Sequence, residues 1–186
     1  MPPPPHSFSR PGSTNPQKTD MQIPDAESLC AELRRQLEPA ISPAAVMIGV
    51  HTGGAWIAAK LHQSLGLKTP LGMLDISFYR DDFARVGLNP QVKKSAIPFD
   101  IEDAEIVLVD DVLYTGRTVR AAMNELFDYG RPKRIDLAVL VDRGGRELPV
   151  AARFTGQTLN LPAHQSLNLA QDPAGHLQFR LVEKKR

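Results

Sequence analysis

Short apolar runs alternate along the chain with longer amphipathic segments. The apolar runs are typical of buried parallel strands, and they occupy residues 44–50, 71–80, 104–110 and 134–142. The amphipathic segments predict helices, and they occupy residues 24–38, 55–66 and 117–130. Because strands and helices take turns, the sequence predicts an α/β fold with a mainly parallel central sheet flanked by helices.

Two further segments depart from this alternation. Residues 81–98 are charged and contain Gly87 and two prolines, which predicts a flexible arm. Residues 176–183 alternate apolar and polar positions, which predicts an antiparallel edge strand. No internal repeat or second domain is indicated, so we expect residues 22–186 to form one domain.

The first 21 residues are rich in Pro, Ser and Thr and predict a disordered tail, because they offer little apolar surface to offset chain entropy. They lack the apolar run of a signal peptide, and no later stretch is long enough for a membrane span. Cys30 is the single cysteine, so no disulfide can form within the chain. We therefore expect a cytoplasmic protein without a membrane partner.

Three polar turns that contain glycine follow three of the predicted strands, at residues 51–54, 110–118 and 142–147. Ligands of open parallel sheets bind at the carboxyl ends of the strands. Three such turns at one edge are stronger evidence for a binding site than any one of them.

The turn after the third strand combines acidic and anion-binding features. Thr115, Gly116, Arg117 and Thr118 stand at a predicted helix start, where unpaired N–H groups favour a phosphate. This part alone favours an ordinary threonine cap with a turn glycine. The adjacent Asp110-Asp111 pair suits ribose hydroxyls or Mg²⁺. Together the two parts predict a site for a ribose 5-phosphate.

At this point the sequence resembles a known family. The run VLVDDVLYTGRT, residues 107–118, resembles the phosphoribosyl pyrophosphate (PRPP) signature of type I phosphoribosyltransferases. Together with DISFYRDD (75–82) and LAVLVDRGGRELPV (137–150), it resembles the PyrR family of pyrimidine-operon regulators that are also uracil phosphoribosyltransferases. The resemblance covers about residues 22–184 and implies the type I phosphoribosyltransferase fold.

The resemblance implies a role for each turn. The acid pair holds the ribose hydroxyls during catalysis and binds Mg²⁺ directly or indirectly. The turn after the first strand receives the pyrophosphate, and the turn after the fourth surrounds the base. The residues implied are Asp110 and Asp111 for catalysis; Tyr114, Thr115, Gly116, Arg117 and Thr118 for the phosphate end of PRPP or UMP; His51, Thr52, Gly53, Gly54 and Arg80 for pyrophosphate; and Val141 and Arg143 for the base.

Some positions keep more than one interpretation. Tyr114 either packs at the strand end or shapes the site beside the ribose. Lys93 and Lys94 lie in the predicted arm, which either closes over PRPP or stays solvated. Many relatives have an arginine where this chain has Gly53 and a histidine where it has Gly145, so PRPP and RNA binding are the functions that these departures affect.

The implied function is Mg²⁺-dependent conversion of uracil and PRPP to UMP and pyrophosphate, with regulation of pyrimidine genes. The alternative is a uridine-nucleotide sensor with weak or no catalysis that binds leader mRNA; a different base specificity is a third option. The net charge is +1 at pH 7, so any RNA site must be a local patch. Arg34, Arg35, Arg143 and Arg146 are its candidates, although Cys30 and Glu32 are expected in the exposed turns of the first helix. The resemblance also implies a homodimer or homotetramer.

Overall fold

The computed structural model describes residues 23–76 and 95–183. In chain order these residues form α1 (Ala26–Leu37), β1 (Val46–Val50), α2 (Gly53–Leu65), β2 (Leu71–Leu74), β3 (Glu105–Leu113), α3 (Arg117–Tyr129), β4 (Arg134–Asp142), β5 (Phe154–Thr158), β6 (Gln165–Gln171) and β7 (Leu177–Glu183). None of the helices in these ranges is long and apolar enough to cross a lipid bilayer.

The main sheet has five strands in the order β2-β1-β3-β4-β5, and every neighbouring pair is parallel. The connections that leave β1 and β3 run to opposite sides of the sheet, so a crevice opens between the carboxyl ends of these two strands. The predicted α/β architecture with a mainly parallel central sheet is confirmed. The topology places the turns after β1 and β3 next to each other.

Each face of the sheet is covered by helices, because apolar side chains alternate between the two faces along every strand. One cluster joins one strand face to α1 and α2, and its strand members include Met47, Val107, Val109, Ala138 and Leu140. The second cluster joins the opposite face to α3, and it includes Ile48, Ile106, Leu108, Val139 and Leu126.

Helix α1 begins at a cap and lies on the core through one stripe. Asp25 is the N-cap, and its side chain accepts a hydrogen bond from the Ser28 N–H. Leu29, Leu33 and Leu37 are buried on one face, as the four-residue spacing predicts. Burying each leucine stabilises the fold by about 1.5–3 kcal/mol.

Cys30 is not in an exposed turn of α1, as the sequence suggested, but is buried with 7% of its surface exposed. It lies next to Leu29 and Leu33 in the wide apolar stripe of this helix, and four-residue spacing alone underestimates that width. Burial, with the negative charge of Glu27 nearby, raises the pKa of the thiol to about 12.

Glu27 ties three elements together. Both of its carboxylate oxygens accept hydrogen bonds from Lys60 Nζ of α2, at 2.8 and 2.9 Å. Oε1 also accepts from the Leu177 N–H at the start of β7, at 2.7 Å. Glu27 therefore fixes the small sheet of β6 and β7 over the two helices.

The structure corrects several predicted boundaries. Helix α2 starts at Gly53 rather than at residue 55, and β3 runs through the acid pair to Leu113. Strands β5 and β6 were not predicted. The strand predicted at 176–183 is antiparallel, but it pairs with β6 in a separate two-stranded sheet.

The predicted tail lies outside the described residues, and so does most of the predicted arm. Only its last residues are described. There the N–H groups of Met73 and Ala96 each donate to the other residue's carbonyl oxygen at 2.8 Å. The segment that begins at Ser95 is therefore hydrogen-bonded to β2.

Candidate functional site

The acid pair lies inside β3 rather than beyond its end. Adjacent residues of a strand point to opposite faces, so the two carboxylates do not share one face of the sheet. Asp110 is buried, with 5% of its surface exposed, and Asp111 is partly exposed. Asp110 Oδ1 accepts from the Asp111 N–H at 2.9 Å, and Asp111 Oδ1 accepts from the Val112 N–H at 2.8 Å. These bonds fix both side chains at the crevice.

The turn after β3 leads into the start of α3. Gly116 has φ +93°, a left-handed conformation that favours glycine, and its carbonyl accepts from the Arg120 N–H at 2.9 Å. Thr115 Oγ1 accepts from the Arg117 N–H at 3.3 Å. The N–H groups of Thr118 and Val119 have no helical carbonyl one turn earlier, so they are positioned for an anion. The start of α3 therefore presents backbone N–H groups at the position where the sequence predicts the phosphate.

Arg117, predicted to bind phosphate, is on the surface at the first position of α3. Its Nε donates to Glu147 Oε2 at 2.9 Å, and both side chains are exposed. This ion pair joins the turn after β3 to the turn after β4.

The turn after β1 presents backbone groups. The His51–Thr52 peptide bond is cis, and the His51 N–H donates to the Leu74 carbonyl at 2.8 Å. Gly53 and Gly54 form the first turn of α2. The turn therefore lies directly beside β2 and the crevice.

Both glycines of this turn are in contact with β3. A Cβ at Gly54 would overlap the Val109 carbonyl oxygen and lie 3.0 Å from Asp110 Cα. A Cβ at Gly53 would overlap Asp111 Oδ2. Gly53, which stands where many relatives have an arginine, therefore lets the turn approach the acid pair.

The turn after β4 folds back onto the turn after β3. The Arg143 N–H donates to the Leu113 carbonyl at 3.0 Å, and the N–H groups of Glu147 and Leu148 donate to the Thr115 carbonyl at 3.0 and 3.1 Å. Val150 Cγ2 lies against Gly116. The predicted base and phosphate turns are therefore one hydrogen-bonded unit.

The two residues nominated for the base differ in accessibility. Val141 lies inside β4 with its side chain fully buried in the first apolar cluster, so only its backbone is a candidate for base binding. Arg143 is 5% exposed, and its guanidinium carbon lies 4.0 Å from the centroid of the Tyr114 ring. Tyr114 therefore contacts the predicted base turn through its side chain.

Arg146 holds this unit together. Its Nη1 donates to the Tyr114 carbonyl at 2.7 Å, its Nε donates to the Val150 carbonyl at 3.1 Å, and Nη2 is paired with Asp142. Only 23% of its side chain is exposed. The guanidinium is therefore used inside the loop, and the RNA contact predicted for Arg146 stays a prediction.

The other predicted residues lie elsewhere. Arg34 and Arg35 are on α1, away from the crevice, and they bind Glu38 and Glu32 respectively. Arg80, Lys93 and Lys94 lie outside the described residues. Within the part of the chain that the structure describes, no three His, Cys, Asp or Glu side chains are grouped so that they could hold a metal ion.

The sequence did not single out Glu147, Leu148 and Val150 as neighbours of the phosphate turn. Their run, RELPV, was visible as part of a motif, but a motif does not state which backbone groups it meets. The indication available in the sequence was that this run follows a predicted strand. In the structure that strand is β4, which lies beside β3.

Comparison with known proteins agrees with this geometry. The model of the phosphoribosyl transferase domain matches residues 22–168. A hypoxanthine-guanine phosphoribosyltransferase from Bacillus anthracis superposes with a TM-score of 0.58 at 20% identity, over 75% of this chain and 86% of that one. The fold and the crevice define a phosphoribosyltransferase, and the predicted type I fold is confirmed.

Two relatives identify the family of phosphoribosyltransferases to which the chain belongs. Bifunctional protein PyrR from Nitrosococcus oceani is 54% identical over 138 residues, which are 73% of this chain and 76% of that protein. Bifunctional protein PyrR from Pseudomonas fluorescens is 46% identical over 154 residues, which are 81% of this chain and 92% of that protein. The chain belongs to the PyrR family.

Proposed function

We propose that the protein transfers the 5-phosphoribosyl group of PRPP to uracil, yielding UMP and pyrophosphate. The bond between C1 of the ribose and the pyrophosphate oxygen breaks, a bond from C1 to N1 of uracil forms, and the N1 proton passes to water. The observation that carries this proposal is the crevice between β1 and β3, which brings a carboxylate pair, a helix start and a glycine turn together.

Each end of the crevice suits one part of PRPP. The start of α3 offers N–H groups to the 5-phosphate, and the carboxylates of Asp110 and Asp111 accept from the ribose hydroxyls. Asp111 is the more exposed of the two and is therefore our candidate for stabilising positive charge as C1 loses the pyrophosphate.

The backbone of His51–Gly54 suits the leaving pyrophosphate. The glycines bring the turn close to Asp111 without a side chain in between. This turn supplies no arginine at position 53, so its contribution rests on N–H groups and not on a charged side chain.

The donor set fits Mg²⁺ carried by the substrate. Mg²⁺ typically binds one or two carboxylates together with phosphate oxygens and water, and the acid pair provides the former. When bound, the ion neutralises part of the charge on the pyrophosphate.

The choice of uracil rests on membership of the PyrR family, and the turn after β4 is where we place the base. Arg143 and the backbone of Val141 are the nominated contacts. Uracil N1 needs orientation rather than a dedicated base, and the described residues around this turn provide no histidine for such a role.

The experiment is to measure pyrophosphate release from PRPP with uracil and Mg²⁺. We expect release that depends on all three, with hypoxanthine as the base control. Release with hypoxanthine but not uracil would contradict the base assignment, and no release with any base would leave only the regulatory function.

A second function, regulation through leader mRNA, is favoured by the name that both relatives carry, Bifunctional protein PyrR. On the surface, Arg35 is the more accessible candidate, with 71% of its side chain exposed, whereas 40% of Arg34 is exposed. The pair on α1 is therefore the patch that we nominate.

RNA binding is tested by titrating the protein with pyrimidine-operon leader RNA at low and high salt, with and without UMP. We expect tighter binding with UMP. A salt dependence without any effect of UMP would indicate phosphate contacts alone and would contradict a nucleotide-controlled switch.

We further propose a cytoplasmic homodimer or homotetramer, as the resemblance implies. Light scattering coupled to size-exclusion chromatography gives the number of subunits.

A further inference from the structure

Arg143 is a buried cation whose hydrogen bonding is incomplete. It is 5% exposed, and its Nη2 is 3.5 Å from the Pro162 carbonyl, at the outer limit of a hydrogen bond. Its buried Nε has no hydrogen-bond partner among the described residues. A buried donor without a partner costs free energy unless a ligand satisfies it.

The Tyr114 ring is what holds this guanidinium. The guanidinium carbon lies 4.0 Å from the ring centroid, which is a cation–π contact. The same ring is in contact with Gly145, because a Cβ at that position would overlap Cε2 and lie 3.0 Å from Cδ2. The ring therefore locates both the side chain of Arg143 and the backbone two residues later.

The surrounding backbone keeps the ring in place. The carbonyls of Leu113, Tyr114 and Thr115 each accept a hydrogen bond from residues 143–148. Because the Arg143 guanidinium contacts the ring, a shift of the Tyr114 ring would move the guanidinium relative to this fixed backbone and the phosphate turn that follows it.

We propose that Tyr114 is a positioning residue whose ring holds the Arg143 guanidinium so that its Nε–H donates to a carbonyl oxygen of the base. This rests on the proposed function, and it assigns Tyr114 to the base end of the ligand and not to its phosphate. In this chain a Cβ at Gly145 would overlap the ring, so Gly145 leaves room for the ring in this position.

The test compares two ligands that differ by the base, UMP and ribose 5-phosphate, by calorimetric titration. For Tyr114→Ala we expect the Kd of UMP to rise about tenfold or more, the scale of one hydrogen bond to a charged group, while the Kd of ribose 5-phosphate stays within about twofold. Tyr114→Phe keeps the ring, and we expect a UMP Kd within about threefold of wild type.

Gly144 supplies a matched control for Gly145. The two glycines have φ +68° and +70°, so alanine is equally strained at either position. A Cβ at Gly144 would meet only Asn160 Oδ1, at 3.5 Å, whereas at Gly145 it meets the ring. We expect Gly145→Ala to weaken UMP binding more than Gly144→Ala, and we expect this excess to vanish when Tyr114 is alanine.

The outcomes separate this proposal from the proposed function. If the wild type binds neither ligand, the proposed function is overturned. If the wild type binds both, and Tyr114→Ala weakens both equally or neither, the positioning role alone is overturned. Urea unfolding of each variant shows whether the fold is retained. If the alanine at 114 unfolds, Gly145→Ala against Gly144→Ala still tests the role of the ring, and equal UMP binding by these two variants would overturn it.

Discussion

The turns after β1 and β3 lie side by side at one edge of the sheet, yet they offer a ligand different groups. The turn after β1 offers backbone, and its two glycines are in contact with the neighbouring strand. The end of β3 offers carboxylates, the turn after it offers hydroxyls, and this turn is enclosed by residues 143–150. The turn after β1 therefore depends on the absence of side chains at its glycines. The turn after β3 depends on hydrogen bonds from the turn after β4.

The two turns are therefore sensitive to different kinds of substitution. After β1 the critical quantity is the distance to β3, so even one added carbon atom matters. After β3 the critical quantities are the charge of the acids and the position of the enclosing turn. Added bulk after β1 is therefore expected to act through the contact with β3, whereas loss of charge at the end of β3 is expected to act on turnover.

The largest expected effect is that of Asp111→Asn. The amide has the shape of the carboxylate but lacks the charge, so kcat should fall about 100-fold, as for the loss of one electrostatic contact in a transition state. Steady-state kinetics with uracil and PRPP measure this change.

The matched control for Asp111 is Asp128→Asn, because Asp128 is an exposed acid near the end of α3. It should leave kcat within about twofold of wild type. An Asp111→Asn enzyme with unchanged kcat would contradict the role given to this carboxylate. The charge at the end of β3 would then not distinguish this region from the turn after β1.

An intermediate effect is expected from alanine at the two glycines after β1. Gly54→Ala forces a carbon atom onto the backbone of β3, and it should lower the free energy of unfolding by about 1–3 kcal/mol. At Gly53 the obstacle is the end of the Asp111 side chain, which can rotate, so Gly53→Ala should cost less than about 1 kcal/mol while lowering kcat.

Urea unfolding and kinetics on both glycine variants separate the two expectations. Equal losses of stability at 53 and 54 would show that β3 gives way as easily as a side chain does. That result would contradict the importance of the close approach between this turn and the backbone of β3.

The smallest effect is expected from Glu147→Gln, which breaks the ion pair with Arg117. Both side chains are more than half exposed, at 56% and 53%, so the pair is screened by water. The free energy of unfolding should fall by about 0–1 kcal/mol, and less at high salt. A larger loss would place the support of the phosphate turn in this surface pair rather than in Arg146.

The sequence predicted the repeating architecture well because apolar runs report burial directly. Strand β4 has the predicted bounds, since it is apolar and ends at a turn on both sides. Helix α2 begins earlier than predicted because Gly53 and Gly54 look like a break, whereas their role is to fit against β3. The extent of β3 was underestimated because Asp110 and Asp111 resemble the end of a strand.

The candidate site was predictable as residue types and not as contacts. The chemistry of the two acids and of the TGRT turn can be recognised from their residue types alone. The enclosure by residues 143–150 depends on β4 lying beside β3. The hydrogen bonds of Arg146 are made to backbone carbonyl groups, which every residue has, so the sequence does not indicate them. Strands β5 and β6 escaped prediction because their burial is intermittent and polar residues interrupt them.

Glu27 makes the closure of the small sheet a proton-coupled event. Burial raises the pKa of this carboxyl. Hydrogen bonds from Lys60 and Leu177, together with the nearby positive charges, lower it by more, so the pKa lies below its ordinary 4.5. The unfolded chain therefore takes up a proton at a pH where the folded chain does not. The stabilisation is complete above that ordinary value and is lost as the pH falls through the folded pKa. In acid, protonation of Glu27 weakens its contacts with Lys60 and Leu177, which link α1 to α2 and to β7.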